Sequence, residues 1–233
     1  MSETVRAIVL CAGAGVRVAE ITGGKPKSFL RIGEQTLIER QLELLRAAGV
    51  ENITLVVGFE AKLFRDTFPE CHFVENPDYR STNTAFSLAL ALRAKEERTV
   101  LVLNADVFFD DSVLPGILSA KGESVAALDR KRNGEEEIKV LHDGTRITGL
   151  GKYVNEDLAI GEAFGVYKLS PRFARYLRRE ILLQNNPKAF YERGIDQLLR
   201  GGHVMTNYDI ADAFCMEIDT AEDYYELIKN LGL

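Results

Sequence analysis

The sequence predicts an α/β fold built on a doubly wound, mostly parallel sheet, and two observations carry that expectation. Short continuous apolar runs of strand length alternate with helix-length amphipathic segments from Val5 to Asn104. The first of those runs passes directly into a glycine-rich turn, Ala12-Gly13-Ala14-Gly15. Glycines there let the backbone approach a ligand closely and aim N–H groups at it.

Taken in order, Val5–Cys11 is, apart from Arg6, a continuous apolar run of strand length of the kind found inside parallel sheets. Thr36 with Glu39 forms a capping box that opens a helix through Ile38, Leu42 and Leu45, and Gly49 ends it. Ile53–Val57 is the next strand, Ala61–Phe68 a short helix and His72–Glu75 a third strand. The spacing of Phe86, Leu90 and Ala94 predicts a helix over Ser81–Lys95, followed by a strand at Val100–Leu103. Asp111–Leu118 reads as a helix with Asp110 and Asp111 as caps and solvated charge. The later pattern is looser. A strand is expected at Ser124–Leu128, and a hairpin joins Ile138–His142 to Arg146–Lys152 around Asp143-Gly144. A strand at Glu162–Leu169, helices at Pro171–Leu182 and Lys188–Arg200, and a strand near Val204–Asn207 follow. Cys215–Ile218 and a helix over Ala221–Asn230 close the chain. No repeat or linker interrupts it, so one domain over residues 1–233 is expected.

Composition narrows the function. A formal charge of −6 argues against a non-specific nucleic-acid binder. Arg17, Lys25, Lys27 and Arg31 nevertheless crowd one segment against Glu20 alone, whereas Asp209 to Glu226 is acidic. That split suits an anion held at one end of a site and a metal at the other. Cys11, Cys71 and Cys215 are widely spaced, in apolar surroundings and without a zinc pattern, as expected of reduced thiols. With no signal-peptide pattern and no apolar run of membrane-spanning length, a cytoplasmic protein with no membrane partner is expected.

Three nucleotide readings compete for the first loop. A dinucleotide fingerprint needs a third glycine where Val18 stands. A P-loop fails because Pro26 follows Gly24-Lys25 and Ala19 replaces its first glycine. The third pattern is present: Ala12-Gly13-Ala14-Gly15-Val16-Arg17, then Pro26-Lys27-Ser28-Phe29-Leu30, then a capped helix. In these residues the chain resembles the nucleotidyltransferases that activate sugar phosphates and small phosphorylated alcohols. The segment Arg80-Ser81-Thr82-Asn83-Thr84-Ala85-Phe86-Ser87-Leu88 is similar to the cytidylyltransferase branch, typified by phosphocholine and aminoethylphosphonate cytidylyltransferases.

The resemblance implies a Rossmann-like, doubly wound mixed sheet of the nucleotide-diphospho-sugar transferase type, with a small β-hairpin and helical part that binds the acceptor. It implies Arg17 and Lys27 as catalytic cations, and nucleotide contacts from Leu10, Ala12, Gly13, Ala14, Gly15, Asn83, Ser87 and Asn104. Asp106, at the end of a buried strand, and Asp219, in the Ile218-Asp219-Thr220-Ala221-Glu222-Asp223 segment, are implied ligands of Mg²⁺. Asp223 is expected to serve the last helix N-terminus.

Acceptor candidates are Tyr153, Glu162, Phe164, Tyr191 and Asp196, because aromatic faces with carboxylates suit a choline or aminoethyl cation. The basic run Arg130-Lys131-Arg132 reads as a solvated loop, and Glu135-Glu136-Glu137 as a solvated turn. The expected reaction is CMP transfer from CTP to a small phosphate or phosphonate, with release of pyrophosphate. A sugar-1-phosphate nucleotidyltransferase using UTP, dTTP or GTP is the alternative. Expected partners are the nucleoside triphosphate and that small acceptor, and association into a homodimer is left open.

Overall fold

A computed structural model describes residues 5–130, 137–144 and 146–233. In chain order the strands and helices begin with β1 (Arg6–Leu10), α1 (Ala19–Thr22), β2 (Arg31–Ile32), β3 (Gln35–Thr36) and α2 (Leu37–Ala47). Next come β4 (Asn52–Val57), α3 (Ala61–Thr67), β5 (His72–Glu75), α4 (Thr84–Ala91), β6 (Val100–Asn104), β7 (Val107–Phe109) and α5 (Val113–Ser119). The second half contains β8 (Val125–Asp129), β9 (Lys139–His142), β10 (Ile147–Gly151), β11 (Glu162–Leu169), α6 (Pro171–Gln184) and α7 (Tyr191–Arg200). It ends with β12 (Thr206–Asp209), β13 (Cys215–Glu217) and α8 (Ala221–Leu231).

The mixed sheet has the order β10-β9-β11-β6-β1-β4-β5, with β8 and β12 joined through β11. β5, β4, β1 and β6 run parallel, and β11 then turns antiparallel to β6. Successive side chains of a strand point to opposite faces, so β1 sends Ala7 and Val9 into one core and Ile8 into the other. The first core adds Leu42, Leu45 and Phe64 under α2 and α3; the second adds Leu88, Phe173 and Leu177 under α4 and α6. Thr36 and Glu39 form the expected capping box at the start of α2.

Three departures from the sequence reading have physical causes. The helix expected over Ser81–Lys95 begins only at Thr84, because Ser81 and Thr82 bond back to the Asp78 carbonyl and Asn83 caps the first turn. The next helix begins at Val113, and Asp110 does not cap it: its carboxylate accepts from the Phe214 N–H at 2.8 Å. The strand β7 has only three residues, too few for periodicity to reveal, yet it pairs antiparallel with β13.

At the edge of the sheet opposite the glycine turn, Arg6 and Glu96 form a fully buried ion pair at 2.5 Å, and Arg6 also donates to the Ala91 carbonyl. Burial works against the Glu96 charge, but the Arg6 guanidinium outweighs it and holds the carboxyl below its ordinary range. Removing one member strands a buried charge. Arg6→Ala should therefore lower the unfolding free energy by about 3 kcal/mol or more in urea denaturation.

Candidate active site

The carboxyl ends of β1 and β6 bring the glycine turn and Asp106 to one edge of the parallel strands, paired in register from Arg6↔Val100 to Leu10↔Asn104. In the turn, Gly15 has φ +58°, and a Cβ there would lie 2.6 Å from the Lys27 Cβ. Only glycine meets both demands, so the turn closes directly against Lys27. Gly13 has open space where its side chain would be. The Ala12 carbonyl accepts from the Phe59 N–H at 3.1 Å, which ties the turn to the loop after β4.

Lys27 is the centre of the site. Its ammonium lies 2.7 Å from a carboxylate oxygen of Asp106 and 2.7 Å from one of Asp219, and Arg17 reaches the other oxygen of Asp219 at 2.9 Å. Burial opposes the Lys27 charge, but the two carboxylates more than offset this and hold the amine above its ordinary value. Burial likewise pushes the Asp219 carboxyl up, while Lys27 and Arg17 prevail and hold it down.

The short β7–β13 ladder places the two aspartates. Glu217 pairs with Val107, and the Ile218 N–H donates to the Asp106 carbonyl at 2.9 Å. Buried Gln41 of α2 fixes the same turn by donating to the carbonyls of Asn104 and Val107. As expected, Asp223 serves the start of α8, and it also accepts from the Asp219 N–H at 2.8 Å.

A third acid, Glu217, completes the group: one oxygen from each of Asp106, Glu217 and Asp219 lies within 4.8 Å of the others. Glu217 is exposed as a residue, but the protein crowding its carboxyl, then the neighbouring Asp106 and Asp219 charges, push that group up to about 8. The buried Oδ1 of Asp106 has no hydrogen-bond partner. Three hard oxygen donors so arranged could hold a divalent cation. The sequence reading passed over Glu217, although period two on a strand puts it on the same face as Asp219.

Of the residues expected to contact a nucleotide, Asn83 caps α4 and Ser87 is buried, its hydroxyl accepting from Asn76 at 2.9 Å. Leu10 ends β1 and Ala14 lies within the turn. The buried Tyr191 hydroxyl donates to the Asn104 Oδ1 at 3.0 Å. Gly165, with φ +83°, lets β11 pass so close to Asn104 that a Cβ would fall 2.5 Å from its amide. Glu162 pairs with Asp129 and Lys139 at the start of β11.

The remaining acceptor candidates are engaged in packing and hydrogen bonds of the fold itself. Phe164 is a core residue, packed with Ala105, Val107 and Val166. Asp196 accepts from the Leu150 N–H, the Tyr153 hydroxyl and Arg200, so its oxygens are spent joining β10 to α7. Tyr153 is held in that same group. Arg130 pairs with Asp209; Lys131, Arg132, Glu135 and Glu136 lie outside the described residues.

Glu192 is the acid that the sequence reading missed here. It is buried beside Tyr191, its Oε2 has no partner, and burial with the Asp106 charge pushes it up to about 7. The available signal was its place on the apolar face of α7, one turn before Ile195 and two before Leu199.

The chain belongs to the MobA-like NTP transferase domain family, whose model matches residues 7–197. It is 28% identical to a CMP-5'-(3-aminopropyl)phosphonate synthase of Streptomyces rubellomurinus, over 94% of this chain and 37% of that protein. It is 27% identical to a 2-aminoethylphosphonate cytidylyltransferase of Lancefieldella rimae, over 84% of this chain and 78% of that one. The fold matches the CTP:phosphocholine cytidylyltransferase of Streptococcus pneumoniae with a TM-score of 0.82 at 20% identity, over 97% of this chain and 99% of that one. The sheet is thus the Rossmann-like, mixed type of the nucleotidyltransferases.

The buried Glu192 predicts a pH signature. Below about pH 4.5 its carboxyl is neutral in both folded and unfolded chains; between there and about pH 7 the unfolded chain ionises first, so folding loses stability as pH rises. Glu192→Gln should therefore be near neutral at about pH 5 and stabilising by up to about 3 kcal/mol at about pH 8 in chemical denaturation. An equal effect at both pH values would contradict the burial of an ionisable Glu192.

Proposed function

We propose that the chain is a cytidylyltransferase that transfers CMP from CTP to a small phosphonate or phosphate acceptor carrying an amine or quaternary ammonium group. The observation that carries this reading is the Lys27 ammonium set between Asp106 and Asp219 against the glycine turn. Both relatives described above are named for aminoalkylphosphonate chemistry, which supports the acceptor class.

The chemistry needs no side-chain nucleophile, since the acceptor oxygen is already anionic. That oxygen attacks the α-phosphorus of CTP, the bond to the β-phosphate oxygen breaks, and pyrophosphate leaves with the electron pair. Two anions must meet, so charge neutralisation and alignment dominate catalysis. The turn from Ala12 to Gly15 would present its backbone to the triphosphate. Arg17 and Lys27 would neutralise it, with Lys27 passing from the carboxylates to the phosphates on binding.

Asp106 and Asp219, joined by Glu217, would hold Mg²⁺, which would supply further positive charge at the triphosphate. The unpartnered Asp106 oxygen and the all-carboxylate donor set fit such an ion. Glu192, with Tyr191 beside it, places negative charge and an aromatic ring at the acceptor side, where a cationic head would restore the balance.

Lys27→Ala and Asp106→Ala should each lower turnover by about two orders of magnitude or more, with circular dichroism and the thermal midpoint showing the fold intact. Near-normal turnover in either would contradict the assignment. Pyrophosphate release, measured for four nucleoside triphosphates against 2-aminoethylphosphonate, phosphocholine and sugar 1-phosphates, should be confined to CTP with the cationic acceptors. Turnover only with a sugar phosphate and UTP, dTTP or GTP would favour the alternative reading.

A further inference from the structure

The helix α6 buries Phe173, Ala174, Leu177 and Ile181 against the sheet and carries Arg172, Arg175, Arg178 and Arg179 away from that core face. These four arginines, with Ala94 and Tyr176, line a cavity of about 330 Å³. It lies far from the glycine turn. Arg172 and Arg175 also border a neighbouring groove formed by the start of the parallel strands, at Val5, Asn52 and Thr99, with Arg98. The catalytic residues follow the opposite ends of those strands.

None of the four arginines has an acidic partner among the described residues. Arg172 stacks over the Tyr176 ring at 5.7 Å, Arg175 donates to the Glu96 carbonyl, and the buried Nε of Arg178 has no acceptor. Elsewhere, Arg46 and Arg65 are paired with Glu70 and Glu75. A concentration of unneutralised guanidinium groups around a concavity, in a chain of net charge −6, is an electrostatic focus for an anion. Planar forks of N–H donors match the oxygens of a phosphate, and the volume is at the lower end of small-ligand pockets.

We propose that this cavity is a second anion site, separate from the catalytic centre, that binds a phosphoryl group. The group could be presented by a free phosphate compound or by a phospholipid head group, and the test separates the two sources.

Inorganic pyrophosphate is titrated without divalent metal into the Lys27→Ala protein, in which the catalytic anion site is weakened. The arginine Nε–Hε resonances are followed by NMR. A saturable shift of the Arg178 signal, weakened about tenfold or more in an added Arg172→Gln/Arg179→Gln pair, is expected for a free phosphate ligand. Sedimentation with phosphatidylcholine vesicles containing phosphatidylglycerol, abolished by the same pair, would identify the lipid head group instead. Both substituted side chains lack hydrogen bonds to the backbone among the described residues, and the thermal midpoint checks that the fold survives. If neither probe binds, or if binding is indifferent to the arginine pair, the proposal is overturned. Because Lys27 is already removed, that result leaves the catalytic reading untouched.

Discussion

The ion bridge from Lys27 to Asp106 and Asp219 is the constraint on which the active end of the molecule depends. It joins three distant parts of the chain: the turn after Pro26, the end of β6 and the end of β13. Like charges would otherwise drive the three clustered carboxylates apart, and after desolvation the Asp106 and Asp219 charges help to push the Glu217 carboxyl up to about 8. A lysine in their midst provides a resident counter-charge. The backbone and Cβ of the same residue lie against the glycine turn at Gly15, so the side chain that balances the carboxylates is rooted beside the turn expected to face the triphosphate. One side chain can thus serve both the resting and the loaded site.

Much of this was legible in the sequence because it rests on local rules. The apolar run of β1, the capping box of α2 and the glycine turn are specified by neighbouring residues, and each took the expected form. Asp106 and Asp219 could be singled out as strand-end acids, and the structure brings them together. Their junction was not legible. It depends on the three-residue pairing of β7 with β13, a contact between segments about a hundred residues apart and too short to leave a period. Glu217 and Glu192 were missed for a related reason: Glu217 is significant only through its non-local neighbours, and Glu192 through its burial as well. Conversely, Phe164 and Asp196 have side chains suited to a cationic pocket, but tertiary packing commits one to the core and the other to joining β10 with α7.

Glu192 shows the same economy of charge. Burying an ionisable acid such as Glu192 disfavours folding, and its Oε2 has no hydrogen-bond partner among the described residues. Such a group makes physical sense where a ligand supplies the missing positive charge. The Tyr191–Asn104 hydrogen bond connects its neighbour to the end of β6, two residues before Asp106. Recognition of a cationic head and placement of the reacting phosphoryl group would then share one rigid support, which is how a short acceptor can be read and aligned at once.

The central claim, that Lys27 stands in for a metal among the carboxylates of the resting site, is tested most directly by cation affinity in the absence of nucleotide. Mn²⁺, as a paramagnetic substitute for Mg²⁺, would be titrated into the wild-type chain and into Lys27→Met, with free ion read by electron paramagnetic resonance. The account predicts tighter binding to Lys27→Met, because the competing ammonium is gone. Equal or weaker binding would contradict it.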